Sequence, residues 1–309
     1  MNEEREPTKQ VGLIGLGIMG GAIGANLIER GWAVVGYDID DARCRDAAAA
    51  GVRIAKSVAE VAADCPVILT SLPTPDAASI VAREIAATSE PRIVAELSTF
   101  ALSDKMNFKA ALDPGGHFAL DCPLSGTGAQ ARQRDLIVYA SGDAAAIARC
   151  RPIFADFAKQ SADLGSYGNG SRMKFIANLL VAIHNVAAAE AMVLAERAGL
   201  DLKEVIELIG PGAGGSRMFQ MRAPMMAVRN YLPATMRVST WQKDMSIISA
   251  FAAELGCATS MFDLTKPVYD AALVMGLGDS DTAAVFEVLK QRTVVARDNV
   301  TRSNSPPGR

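Results

Sequence analysis

A lysine and an asparagine four residues apart, Lys174 and Asn178, stand near the start of a long stretch without strand signal or proline. On a helix that spacing puts an amine and an amide on one face, which Val181 and Asn185 continue. A lysine in a cleft loses hydration, its pKa falls, and it can exchange a proton with a hydroxyl near neutral pH. Spacing alone leaves a second reading open, a surface lysine whose stem lies along apolar neighbours. His184 is ten residues beyond Lys174, roughly 80° round a helix, and reads as a packed or capping residue. His117 precedes a strand and reads as structural.

A second constellation runs from Val11 to Asp38, VGLIGLGIMGGAIGANLIERGWAVVGYD. It reads as strand, glycine turn, helix and second strand, ending on a carboxylate. Gly15 permits a tight turn, Gly17 lets a pyrophosphate approach backbone N–H groups, and Gly20 lets the helix sit against the strand. The helix N-terminus then turns its partial positive charge towards the phosphates. Asp38 follows the second strand, where a carboxylate accepts from an adenosine ribose and repels a 2′-phosphate, so NAD is expected over NADP. Arg43 and Arg45 lie close enough in sequence to hold a phosphate in the opposite case.

A third stretch, Asp121-Cys-Pro-Leu-Ser-Gly-Thr-Gly128, is a strand end opening into a small-residue turn with several N–H groups. Such a turn either cradles an anion or is a plain β-turn.

The elements that position these groups alternate between strand and helix. Helices are expected over Asp41 to Ala50, from Ser57 onward and over Asp76 to Ala87, and strands over Arg53 to Ala55, Pro66 to Pro73 and Ile93 to Ala95. Three more strands come after these: His117 to Asp121, Leu136 to Ser141 and Ser161 to Leu164. The alternation predicts a doubly wound parallel sheet, which binds ligands at the carboxyl ends of its strands, where Ser71, Leu72, Pro73, Ser98 and Thr99 fall. A long helix is expected over Arg172 to Ala198, and further helices over Leu202 to Ile209, Arg217 to Val228, Thr240 to Leu255, Ser260 to Met275 and Thr282 to Arg297. The organisation is therefore a solvated arm over 1–10, a Rossmann domain over 11–168, an all-α domain over 169–300 and a disordered tail over 301–309.

Composition narrows the function classes. Of 309 residues half are hydrophobic and 21% charged, and a net charge of −3 supplies no basic field for nucleic acid or an anionic membrane. The first ten residues are charged and carry no apolar run, so a leader or membrane anchor is not expected there. Five cysteines without a C-x-x-C point to free thiols and a cytoplasmic setting, and two histidines give no metal cluster.

Taken together the chain resembles the β-hydroxyacid dehydrogenases, the family of 3-hydroxyisobutyrate dehydrogenase and tartronate semialdehyde reductase. The resemblance runs from Val11 to about Val300 and rests on six blocks in order: Gly15 to Gly20, Leu72-Pro73, Leu97 to Thr99, Asp121 to Gly126, Gly168 to Lys174 with Asn178, and Lys243-Asp244. It implies Lys174 as general acid/base and Asn178 as its neighbour on the substrate hydroxyl. It also implies Ser125 with the Gly126 and Thr127 backbone as the carboxylate cradle, and Lys243 as a lysine that closes the site. Cofactor contacts are implied for Gly15, Gly17, Ile18, Met19, Gly20, Asp38, Leu72, Pro73, Thr99 and Lys243, and a homodimer or homotetramer for the assembly. Two departures stand out: Thr127 replaces a second glycine, and Ala177 an asparagine.

Donors at Ser216, Arg217 and Gln220, behind the glycine-rich turn Gly210 to Gly215, favour a small hydroxy acid with a polar tail, such as a short sugar acid. The alternative is that they cap a helix or bridge subunits, and Arg222 points elsewhere as the structural member. Two other functions stay in play: 3-hydroxyisobutyrate dehydrogenase proper, and a non-catalytic sensor or scaffold that binds a nicotinamide cofactor.

Overall fold

The computed structural model describes residues 9–293. Residues 1–8 of the expected arm and the whole expected tail lie outside them. Two compact units, Met1–Phe175 and Ile176–Arg309, are described separately.

In the first unit the elements are β1 (Gln10–Ile14), α1 (Ile18–Glu29), β2 (Ala33–Tyr37), α2 (Asp41–Ala49), β3 (Arg53–Ile54), α3 (Val58–Asp64), β4 (Val67–Thr70), α4 (Pro75–Ala86), β5 (Ile93–Glu96) and α5 (Leu102–Leu112). They continue with β6 (Phe118–Asp121), β7 (Leu124–Ser125), α6 (Gly128–Arg132), β8 (Ile137–Ala140), α7 (Ala144–Phe157), β9 (Gln160–Asp163) and the start of α8 (Asn169–Arg197). Six strands form a parallel sheet in the order β3-β2-β1-β4-β5-β6. Both faces are dry, and successive residues of each strand serve opposite faces. Leu13, Leu69, Ala95 and Leu120 pack on one side with Ile23, Leu27 and Phe154. Ile14, Ile68, Val94 and Ala119 pack on the other with Val61, Val81 and Phe108.

Register brings the strand ends level. Tyr37 pairs with Ile14, Ile14 with Thr70, Thr70 with Glu96, and Glu96 with Asp121. The turns that leave these strand ends therefore share one rim. The chain winds outward one way from β1 and the other way from β4, so the turns after these two strands diverge and leave a crevice.

Several elements differ from the sequence-based expectation. Gln10, assigned to the arm, starts β1 opposite Ala33, because strand pairing uses backbone groups whatever the side chain. The last two strands do not extend the parallel sheet: β8 and β9 form a separate three-stranded sheet with β7, and β7 runs antiparallel to β8. A single bridge, Asp121 to Ser141, joins it to β6. Helices α5 and α7 are not foreseen, the first because Lys105 occupies a core position, the second because Pro152 lies inside it. The long helix starts at Asn169 rather than Arg172.

The second unit is helical: the rest of α8, then α9 (Leu202–Ile209), α10 (Arg217–Val228), α11 (Val238–Glu254), α12 (Ser260–Val274), a 3-10 turn Thr282–Ala284 and a helix over 285–293. By length and composition α8 could cross a membrane. Part of its apolar surface is used in packing: Ala182, Val186, Ala189, Met192 and Val193 are buried, while Ile176, Leu180 and Leu194 are exposed.

The approach of α1 to its preceding turn has a measurable consequence. A Cβ on Gly20 would stand 1.9 Å from the Gly15 carbonyl oxygen, so helix and turn must separate to admit it. Gly20→Ala is expected to cost about 1–3 kcal/mol of folding stability by urea denaturation and to weaken dinucleotide binding.

Candidate functional site

The glycine turn is built as its spacing requires. Gly15 has φ +91°, and a Cβ there would lie 2.1 Å from the Ser71 carbonyl oxygen. Gly17, the N-cap of α1, carries no side-chain cap, and a Cβ on it would meet only the Arg43 guanidinium at ordinary contact distance. The space above Gly17 and the α1 amides is therefore open to an anion. Ile18 is exposed and Met19 half-buried beside it.

Asp38 is fixed rather than free. Leu16 N–H donates to its Oδ2 at 2.7 Å and Asp40 N–H to its Oδ1 at 2.9 Å. Each oxygen keeps a lone pair for a ribose hydroxyl. Arg43 is held 3.6 Å from Asp38 and 3.5 Å from Asp40, which places a cation at the same corner. Together the open turn and the anchored carboxylate suit a nicotinamide dinucleotide.

Further along the rim, Leu72 N–H donates to Ser98 Oγ at 2.9 Å, and Ser98 N–H donates to Glu96 Oε1 at 2.8 Å. The turns after β4 and β5 are thus tied together, with Pro73 exposed and Thr99 half-buried on them. Glu96 and its neighbour Asp121 are both fully buried, and the Lys105 ammonium from α5 pairs with each. Burial alone would lower the Lys105 pKa, but the two carboxylates outweigh it and raise the ammonium above its ordinary value.

Asp121 also takes hold of α8. Its Oδ2 accepts Ser171 N–H at 2.7 Å and its Oδ1 accepts Ser171 Oγ–H at 2.8 Å. Gly170 N–H donates to Ser141 Oγ at 2.9 Å, Asn169 N–H to Ser166 O at 3.1 Å and Arg172 N–H to Gly168 O at 3.1 Å. A Cβ on Gly170 would lie 2.3 Å from Tyr139 O and 2.6 Å from Asp121 O, so only glycine lets the helix start this close to the sheet. Lys174 lies two residues beyond the last of these anchored amides and is buried, 8% exposed. Asn178 is one helical turn further on.

The turn after β6 differs from the expected cradle. Ser125 ends β7 and is half-buried, and Gly126 takes φ +135°. Thr127 N–H, however, donates to Gln130 Oε1 at 3.0 Å in a capping box that starts α6. It is therefore already engaged and is not available as a donor of the expected cradle. Gln130 in turn donates to Asp135 at 3.0 Å. A Cβ on Gly128 would lie 2.4 Å from Ile18 Cγ2, so the start of α6 sits close against α1.

In the second unit, Asn178 Nδ2 donates to the buried Asp244 at 2.9 Å, which orients the amide. Lys243 Nζ lies 3.4 Å from the other oxygen of Asp244 and is partly exposed. Asp244 has no role of its own in the sequence-based expectation; its pairing with Asn178 is a contact between residues 66 apart that local spacing does not reveal. Asn185, expected as part of the polar stripe, is spent on packing: its amide donates to Tyr269 Oη at 3.0 Å and Thr282 O at 2.9 Å. Ser216 caps α10 through Phe219 N–H, and Gln220 donates to Gly210 O at 3.0 Å. Arg217, the first residue of α10, is exposed. Arg222 is buried against Asp281 at 2.8 Å and is the structural member, as expected. His117 is structural as well: its Nδ1 accepts Arg92 N–H at 3.1 Å, and burial lowers its pKa.

The comparisons agree with this arrangement. Residues 10–166 match the family model described as the NAD binding domain of 6-phosphogluconate dehydrogenase. Residues 168–289 match the one described as the NAD-binding domain of NADP-dependent 3-hydroxyisobutyrate dehydrogenase. The chain belongs to the β-hydroxyacid dehydrogenase family. This dehydrogenase is 30% identical to glyoxylate/succinic semialdehyde reductase 1 of Arabidopsis thaliana, over 91% of its own length and 98% of that protein's. It is also 30% identical to L-threonate dehydrogenase of Cupriavidus necator, over 91% and 96% of the two chains. The structure of 3-hydroxyisobutyrate dehydrogenase from Mycobacterium tuberculosis with L-serine superposes with a TM-score of 0.82 at 27% identity, covering 91% of this dehydrogenase and 99% of that chain. It is thus an oxidoreductase with a nicotinamide cofactor that acts on a small hydroxy acid or its carbonyl form. Among the described residues no cluster of His, Cys, Asp and Glu is arranged for a metal ion.

Proposed function

We propose that this dehydrogenase interconverts a short, polar β-hydroxy acid and its carbonyl form, with NAD as the preferred cofactor and Lys174 as general acid/base. The observation that carries the reading is Lys174 itself, a buried amine just past a helix start fixed to the sheet. When bound, the nicotinamide cofactor would accept the hydride released as the substrate's C–H bond breaks in the oxidation direction. The hydroxyl O–H proton passes to the Lys174 amine, which acts as the base in this direction and as the acid in the reverse. Asn178, its amide held by Asp244, keeps its carbonyl oxygen for the substrate hydroxyl. Ser125 and the Gly126 backbone receive the carboxylate, and Lys243 closes the site. The cofactor is held by Gly15, Gly17, Ile18, Met19, Gly20, Asp38, Leu72, Pro73, Thr99 and Lys243.

A polar tail is supported by the relative that acts on L-threonate and by the exposed Arg217. NAD preference is supported by the position of Asp38 after β2, where a carboxylate can accept from a ribose hydroxyl and would repel a 2′-phosphate. A homo-oligomer is supported by Leu194, Leu208, Leu264 and Val274, all large, apolar and exposed on the second unit. A cytoplasmic setting is supported by five free thiols. Light scattering on the purified chain measures the assembly.

Three outcomes test the reading. Lys174→Met should lower kcat by about 10²–10⁴-fold with NADH binding retained, since the lysine acts on the substrate; a variant that keeps its kcat refutes the acid/base role. NAD should exceed NADP in kcat/KM, and Asp38→Asn with Ile39→Arg should reverse the order; equal use of both cofactors by the native enzyme removes the role given to Asp38. Four-carbon sugar acids should exceed 3-hydroxyisobutyrate in kcat/KM, because a pocket that hydrogen-bonds a hydroxyl rejects an analogue lacking it. The opposite order establishes the aliphatic substrate.

A further inference from the structure

Glu96 and Asp121 end adjacent parallel strands in direct register, so their carboxylates leave the sheet side by side. Both are fully buried, and two like charges at that spacing cannot both remain ionised without a counter-charge. Lys105 supplies it. The ammonium pairs with Glu96 and lies 3.0 Å from Asp121 Oδ1, its side chain wholly out of solvent. The remaining acceptor capacity of the two acids is directed outward in opposite senses. Glu96 holds Ser98 N–H, and through Ser98 Oγ the Leu72 amide. Asp121 holds both the N–H and the hydroxyl of Ser171, three residues ahead of Lys174.

We propose that Lys105 is a positioning residue for hydride transfer, a buried cation that by pairing with Glu96 and Asp121 fixes the first turn of α8 and the Lys174 amine relative to the rim formed by Leu72, Ser98 and Thr99. It touches neither substrate nor cofactor. The inference rests on the acid/base role proposed for Lys174. Tyr167 adds to the same joint, since its hydroxyl donates to the Lys105 carbonyl at 2.8 Å. The other titratable groups around the cluster are Tyr167 and Cys122, and burial pushes both well above their ordinary values, so neither changes charge near neutrality. Phe100 places its ring 5.8 Å from the ammonium and closes that side with an aromatic face.

Removing the cation leaves two adjacent carboxylates that must share a proton, and such pairs release it near neutral pH when buried. Lys105→Met is therefore expected to lower kcat by about 10²-fold, the scale of an ångström-sized misplacement of a catalytic group. It should also add an ionisation near neutrality to the kcat–pH profile that the native enzyme lacks. NADH affinity, read by nicotinamide fluorescence, should change little, because Gly15 to Gly20 and Asp38 belong to the β1 and β2 region of the sheet. The charge-compensated pair Lys105→Met with Glu96→Gln should recover most of kcat and lose the extra ionisation. Ser171→Ala, which removes only a hydroxyl, should lower kcat about tenfold at nearly native Tm.

Native kcat and pH profile in folded Lys105→Met overturn the proposal, as does a double variant that shows no recovery. Should Lys105→Met fail to fold, the double variant and Ser171→Ala decide: native kcat in Ser171→Ala overturns it. Lys174→Met separates the two readings. If it abolishes turnover while Lys105→Met and Ser171→Ala are native, only the positioning role falls; if it retains turnover, the acid/base role falls first.

Discussion

One buried ammonium between two buried carboxylates sets the terms for the strand-end rim. Such a cluster is no reservoir of stability by itself, since desolvating three charges is costly and a well-packed apolar core does as well. Its weight is in the asymmetry: deleting one member strands the others uncompensated, typically at about 3–5 kcal/mol. The site tolerates the arrangement because the outward lone pairs have donors, from Ser98 on one side and Ser171 on the other. The Lys105 pKa is raised above its ordinary 10.5, so the pair's contribution is fully present below that pH and is lost only as the solution becomes strongly alkaline.

Much of this chain is legible in its residues. The glycine spacing, the acid after β2 and the switch from alternating elements to helices each follow from local chemistry. Lys105 is the clearest failure of that reading. A lysine in a helix reads as solvated, and nothing within a window of neighbours reveals that two strand ends 25 residues apart in sequence, Glu96 and Asp121, meet in space to receive it. Asp244 is hidden for the same reason, its partner Asn178 being 66 residues distant. The Thr127 capping box is a different failure: Thr-x-x-Gln is a legible helix start, but the flanking small residues suggest an open turn instead.

The second unit shows how polar groups on an apolar helix divide between roles. Asn178 and Asn185 lie on the same stripe of α8, seven residues apart, and spacing cannot separate them. Asn185 donates twice into the packing around Tyr269, whose ring stands 6.2 Å from Trp241, and so ties α8 to α12. Asn178 donates once, to an acid, and keeps its acceptor side. The same sorting applies to α10, where Arg222 is buried with Asp281 while Arg217 remains exposed.

Two helix starts in the first unit have opposite electrostatic fates. At α1 the N-cap is a glycine and no side chain occupies the leading amides, whereas at α8 all four leading amides are consumed, by Ser166, Ser141, Asp121 and Gly168 in turn. The positive end of the longer helix is thus quenched by a carboxylate before any ligand arrives. An anionic substrate near Lys174 gains nothing from the helix that carries that residue, and its charge has to be met by side-chain and turn donors. Of these two helix starts only the one at α1 presents its amides without a side-chain cap, the arrangement that suits the phosphates of a dinucleotide.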